Sequence, residues 1–201
     1  MRLVCLDLEG VLIPEIWIAF SEAAGIPELR RTTRDEPDYD KLMRFRLDLL
    51  KKHGLKLPDI QKVIGGMEPL PGAVEFTEKL RERTELIILS DTYVEFADPL
   101  MKKLNRPTLF CNSLECAAGG TITGYKLRQQ NGKQLAVRAL ASLNMEIFAA
   151  GDSFNDLAMI REARAGCLFR APEAIRKECA DIPCVDTYDE LLEQIDGFLF
   201  S

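Results

Sequence analysis

Carboxylates recur at three places where a short apolar run ends. Asp7 and Glu9 follow Leu3 to Leu6, Ser90 and Asp91 follow Leu86 to Leu89, and Asp152 and Asp156 follow Ile147 to Ala150. Four consecutive apolar residues read as a strand buried on both faces of a parallel sheet, and ligands bind at the carboxyl ends of such strands. Side chains two apart on a strand share a face, so Asp7 and Glu9 can point the same way. Two carboxylates about 6–7 Å apart suit a nucleophile and a general acid, although a polar strand end leading into a Gly10 turn has the same letters. Asp7 and Asp152 offer the hard oxygen ligands that suit Mg²⁺. Lys133 opens a helix after Asn131-Gly132 and there opposes the helix dipole, which points to neutralisation of a phosphate or carboxylate. Asp156, in the first turn of its helix, either compensates the dipole or orients Lys133 or a metal-bound water. Ser90 reads as an N-cap that can also meet a phosphate.

The elements that must carry these residues alternate between helix and strand. Helices are expected over 73–83, 93–104, 132–143, 172–179 and from Thr187 onward, with another running from Asp156 to Ala163. Strands are expected over 86–89, 108–111, 147–150 and 166–169, with a short one near 182–185. Residues 114–126, with Gly119-Gly120 at their centre, read as a β-hairpin. Pro99 is expected to kink or break its helix. This order implies an α/β fold, a mostly parallel sheet with helices on both faces and right-handed crossovers. Between the first strand and Gly72 no strand is expected. A helix opens at Pro14 and ends at Gly25, residues 28–40 form a polar loop, a helix runs from the N-cap Asp38 to His53, and a short one covers 58–64. The expected organisation is therefore a core of residues 1–13 and 69–201 with a small helical cap of 14–68. Arg46 falls within the apolar stripe of the second of these helices. A guanidinium facing inward needs an anionic partner, met either by a ligand, by an internal salt bridge or by snorkelling.

Composition bounds the rest. The chain has 201 residues, 47% of them hydrophobic and 29% charged, enough for one well-packed domain or a core with an insertion. A formal charge of -6 and no basic stripe argue against a nucleic-acid partner. No apolar run reaches membrane-spanning length, and the few residues before Asp7 leave no room for a secretory apolar region, so a cytoplasmic location is expected. Six cysteines without a C-x-x-C pair are expected to be reduced and mostly buried. The single histidine, His53, closes a helix and suits its dipole, so no histidine-based catalysis is expected.

In their order along the chain, Asp7-Leu8-Glu9-Gly10, the strand-end Ser90, Lys133 and Gly151-Asp152-Ser153-Phe154-Asn155-Asp156 resemble the four motifs of the haloacid dehalogenase superfamily. Within it the chain is most similar to the phosphoserine phosphatases, whose cap arginine, matched by Arg46, holds the substrate carboxylate. Their cap glutamate is matched only approximately by Glu15, one residue short in spacing. Two departures, Glu9 for the usual aspartate and Asp91 for the usual glycine, resemble the branch that also transfers the phosphoryl group to homoserine. The resemblance implies a HAD-like Rossmannoid core, a Mg²⁺ cofactor held by Asp7, the Glu9 carbonyl and Asp152, and an aspartyl-phosphate on Asp7 with Glu9 as acid and base. It further implies phosphate contacts from Ser90 and Lys133, an ammonium site at Asp91 and Glu15, and a pocket lined by Asn155. The expected partners are small molecules, phosphoserine and homoserine, with no nucleic acid and no membrane; a homodimer stays open. Competing readings are a metal-independent dehalogenase, a phosphatase of another substrate, and a receiver-like phosphoacceptor domain without turnover.

Overall fold

The computed structural model describes residues 1–33, 35–36 and 38–201. Positions 34 and 37, within the expected loop of 28–40, lie outside the described residues. Seven strands form one sheet in the order β4-β3-β2-β1-β5-β6-β7. They are β1 (Arg2–Leu6), β2 (Glu85–Tyr93), β3 (Thr108–Cys116), β4 (Ile122–Lys126), β5 (Glu146–Gly151), β6 (Ala165–Phe169) and β7 (Cys184–Val185). All neighbours are parallel except β3 and β4, the expected hairpin. The α/β fold is therefore as the alternation predicts.

The apolar runs divide by period two between the faces of the sheet. Val4, Leu6, Leu86, Ile88, Phe148 and Ala150 join one buried cluster, with α4 (Ala73–Arg81), α5 (Val94–Lys103) and α9 (Tyr188–Leu199). Leu3, Cys5, Leu89, Ile147 and Ala149 join the other, with α6 (Gly132–Ser142), α7 (Leu157–Glu162) and α8 (Glu173–Glu178). The chain moves outward from β1 on one side through β2 and β3, and on the other through β5 to β7. The carboxyl ends of β1 and β5 thus meet at the switch point where open α/β sheets bind ligands.

Among the described residues between β1 and α4 lie three helices and a 3₁₀ turn at Pro27–Arg30: α1 (Ile16–Ala24), α2 (Tyr39–Lys52) and α3 (Leu57–Gly66). Asp38 caps α2 by accepting from Lys41 N–H at 3.1 Å. Gly25, at φ 65°, ends α1 in the left-handed conformation that glycine adopts without strain. Phe20, Met43, Leu50, Ile60 and Ile64 continue the first buried cluster, so this insertion shares the core's apolar interior.

Two local expectations are corrected. Pro99 lies inside an unbroken α5. Proline removes the donor that the Glu95 carbonyl would use, and Gln61 Nε2 of α3 fills the gap at 2.8 Å. Ser90 is not an N-cap, because β2 runs on to Tyr93 with a register shift against β3 between Leu89 and Tyr93, and α5 starts only at Val94. Among the described residues no helix is long and apolar enough to cross a membrane. The six cysteines are free; three are buried and Cys116 is exposed.

Candidate active site

Asp7 is the first residue after β1, and its N–H donates to the Ala150 carbonyl of β5 at 3.0 Å. That bond continues the parallel ladder in which β1 pairs with β5 from Arg2–Glu146 to Leu6–Ala150. Asp7, Asp152 and Asp156 each bring a carboxylate oxygen within 4.8 Å of the others. Gly10 makes the approach possible. It has φ 79°, and a Cβ there would stand 2.5 Å from Asp152 Oδ2.

Lys133 is the counter-charge. It is 5% exposed, with Nζ 2.8 Å from Asp7 Oδ1, 2.7 Å from Asp156 Oδ1 and 3.8 Å from Asp91 Oδ2. Burial alone would lower its pKa, but the charges of Asp156, Asp7 and Asp91 hold the ammonium well above its usual range. A lysine that opposes a helix dipole is thereby explained by three carboxylates from distant parts of the chain.

Asp156 keeps contacts that serve both readings left open for it, at the helix start and at Lys133. It is fully buried, gives Oδ1 to Lys133, and with Oδ2 accepts from the N–H groups of Asp152 (3.1 Å) and Ser153 (3.0 Å) and from Ser153 Oγ (2.8 Å). With both oxygens occupied it orients Lys133 and the 151–156 loop. Asp7 is left crowded. Burial first, and then the charge of Asp156, push its carboxyl well above the usual carboxylate range against the pull of Lys133. One ammonium cannot balance three clustered carboxylates, and the donors are all hard oxygens, so a small divalent cation fits between Asp7 and Asp152.

Glu9 has neighbours of its own. The strand ends at Leu6, so the two-residue alternation does not extend to positions 7 and 9, and their side chains have different neighbours. Glu9 Oε2 accepts from Ile16 N–H at 2.9 Å, at the start of α1. Burial, reinforced by the nearby charge of Glu15, pushes its carboxyl up to about 7, against the pull of the Ile16 bond, Arg46 and Thr92. A carboxyl near neutrality can give and take a proton at working pH.

Arg46 is 6% exposed on the inner face of α2. No carboxylate among the described residues pairs with it, so the internal salt bridge is not formed. Its guanidinium lies 4.4 Å over the Trp17 ring, Nη2 donates to the Arg31 carbonyl at 2.7 Å, and Nε has no partner among the described residues. Glu15, the residue preceding α1, is half-buried, with its charge felt at both Glu9 and Arg46. Ser90 is 7% exposed and Asp91 is exposed. Asn155 does not stand alone in the pocket but donates to Asp91 Oδ2 at 3.1 Å.

Three further residues belong to this neighbourhood and escape the motif pattern. Thr92 is buried beside Glu9, two residues beyond Ser90, and that polar i, i+2 pair at a strand end was its one sequence signal. Buried Asn112 donates to the Asp91 carbonyl (3.0 Å) and accepts from Arg128 N–H (2.9 Å), tying β2 to the segment before Lys133. Arg128 lies over Phe110 and donates to the Gly132 carbonyl. Nothing local in the sequence marks these last two.

The family model described as haloacid dehalogenase-like hydrolase matches residues 1–164. The phosphoserine phosphatase ThrH of Pseudomonas aeruginosa is 54% identical over 95% of this chain and 93% of its own length. A phosphoserine phosphatase of Pseudomonas syringae pv. tomato is 53% identical over 96% of this chain and 82% of its own. A solved phosphoserine phosphatase carrying an analogue of its phospho-aspartyl intermediate superposes with a TM-score of 0.79 at 22% identity, covering 95% and 97% of the two chains. A substrate-bound phosphoserine phosphatase gives 0.78 at 20%, over 95% and 96%. At these identities the two structures speak for the fold alone.

Proposed function

Because the chain belongs to the haloacid dehalogenase-like hydrolase family, we propose that it transfers the phosphoryl group of phosphoserine through an aspartyl-phosphate on Asp7, to water, to homoserine or to both. The observation that supports this best is the buried Asp7 carboxylate held by Lys133 at 2.8 Å, while Glu9, two residues on, lies beside the insertion that carries Arg46. Asp7, the Glu9 carbonyl and Asp152 would hold Mg²⁺, which when bound neutralises charge on the transferring phosphoryl oxygens.

Asp7 attacks the phosphorus, and the serine oxygen leaves with the proton of Glu9. Glu9, now a carboxylate, takes a proton from the incoming water or alcohol as it attacks the phosphoaspartate, and the Asp7 carboxylate is regenerated. Lys133 and Ser90 stabilise the phosphoryl oxygens, with Asp156 keeping Lys133 aimed. Arg46 takes the substrate carboxylate, Asp91 and Glu15 its ammonium, and Asn155 steadies Asp91. In this reading residues 14–68 act as a cap over a core of 1–13 and 69–201, and the enzyme serves amino-acid biosynthesis in the cytoplasm.

Glu9 supplies a physical reason for transfer. Its extra methylene moves the carboxyl by about 1.5 Å relative to aspartate, and about 1 Å of misplacement can cost roughly a hundredfold. A small water then is poorly aimed, whereas an alcohol anchored by Arg46 positions itself. With phosphoserine as donor and homoserine present, Glu9→Asp is expected to shift the products from phosphohomoserine toward free phosphate. A product ratio that the substitution leaves unchanged overturns this account of acceptor choice.

Arg46→Ala tests the substrate. It is expected to raise KM for phosphoserine by about 10²-fold or more, the scale of a lost charge-assisted pair, with a smaller effect on p-nitrophenyl phosphate, which has no carboxylate. Equal losses on both compounds would indicate a phosphatase of some other substrate.

A further inference from the structure

Trp17 is the second residue of α1, directly after the Ile16 N–H that holds Glu9. It is the only tryptophan in the chain, and it is buried. Its plane is set from two sides. Phe20, one turn further along α1, meets it at 76° with ring centroids 6.4 Å apart, and Phe96 of α5 meets it at 74° and 5.6 Å. Both contacts have the edge-to-face geometry that aromatic pairs favour. Both phenylalanines are buried, so the indole is braced by the insertion and by the core alike.

Over that ring lies the Arg46 guanidinium, 4.4 Å from its centre. A buried guanidinium costs free energy unless its charge is met, and no carboxylate among the described residues pairs with this one. Of its five N–H donors, Nη2 uses one on the Arg31 carbonyl and Nη1 one on Met43 Sδ at 3.7 Å. Nε finds no acceptor among the described residues. An aromatic face attracts the cation without taking any of these donors. An internal carboxylate would have occupied two of them and cancelled the charge that an anionic ligand meets. Indole offers the strongest such face, and a planar guanidinium stacks on it as an ammonium does not.

We propose that Trp17 is the positioning residue for Arg46, its ring face holding the guanidinium flat and cationic with donors left for the substrate carboxylate. This role rests on the phosphoserine reading above. Trp17 acts through Arg46 and takes no part in the phosphoryl chemistry. Phosphoserine and homoserine each carry a carboxylate, so the one platform serves donor and acceptor.

The test compares kcat and KM for phosphoserine and for p-nitrophenyl phosphate, which has no carboxylate, in wild type, Trp17→Phe, Trp17→Leu and Arg46→Ala. Trp17→Leu removes the aromatic face and is expected to raise KM for phosphoserine on the order of tenfold, with a smaller rise for p-nitrophenyl phosphate, the loss falling on KM and not kcat. Trp17→Phe keeps a weaker face and should recover most of that loss. Equal rises on both compounds in Trp17→Leu, or a Trp17→Phe no better than Trp17→Leu, assign the indole to packing alone and overturn the proposal. A second measurement leaves Trp17 in place. In Asp7→Asn, which binds without turnover, phosphoserine is expected to change the Trp17 emission and inorganic phosphate is not, because only phosphoserine brings a carboxylate to the cation on the ring. An emission unmoved by phosphoserine at saturation, as judged by calorimetry, overturns the proposal. If Arg46→Ala affects both compounds equally, the phosphoserine reading itself falls and this role with it. If Arg46→Ala is selective and Trp17→Leu is not, the role of Trp17 falls alone.

Discussion

Asp7→Asn is expected to lower turnover by on the order of 10⁴-fold or more, the scale on which deletion of a covalent nucleophile acts. The amide keeps the shape of the carboxylate and can still accept the Leu8 N–H bond that Asp7 Oδ1 takes at 2.7 Å, so the strand end should keep its form. What it loses is the anionic oxygen that forms the bond to phosphorus. Folding should not suffer. Asp7 is buried and its carboxyl is pushed up by that burial and by Asp156, so a neutral amide relieves repulsion, while Lys133 retains Asp156. The expected result is a protein at least as resistant to heat as wild type, with no acid-stable phosphoprotein after brief exposure to radiolabelled phosphoserine. Turnover retained above about a hundredth of wild type would remove Asp7 from the nucleophile's role.

Lys133→Met is expected to act on both rate and stability. Removing the one ammonium leaves Asp7 and Asp156 buried as uncompensated anions, a change that costs about 3–5 kcal/mol where a buried pair is broken from one side. The same change removes a fixed positive charge from the site of phosphoryl transfer, expected to cost about 10²–10³-fold in kcat. Methionine matches the length of the stem, so the loss is of charge and not of volume. A double-mutant cycle separates the contributions: in the Asp7→Asn background the stability cost of Lys133→Met should shrink, because one of the stranded anions is gone. Equal costs in the two backgrounds, read from denaturant midpoints, would mean that Lys133 and Asp7 are not coupled.

How far the chain could be read in advance depended on the range of the interaction. Asp38 as a cap, Gly25 as a stop, the hairpin around Gly119-Gly120 and the inward face of Arg46 all follow from neighbours within one or two turns. Interactions that cross the chain were not legible. Pro99 sits in an intact helix because a side chain 38 residues earlier supplies the missing donor. Ser90 looks like a cap until β2 is seen to continue through it, and Glu9 looks like a twin of Asp7 until the strand is seen to stop at Leu6.

By itself the sequence determined the alternation of helix and strand, and with it the delivery of Asp7, Ser90 and Asp152 to one edge of a parallel sheet, since apolar period and strand-end polarity are local properties. Tertiary structure alone decided which carboxylates hold Lys133, and that Arg46 lies over Trp17 with no carboxylate partner among the described residues. Those outcomes depend on side chains brought together from distant elements in a dry interior. There each polar group must find a partner, and a one-dimensional pattern does not name it.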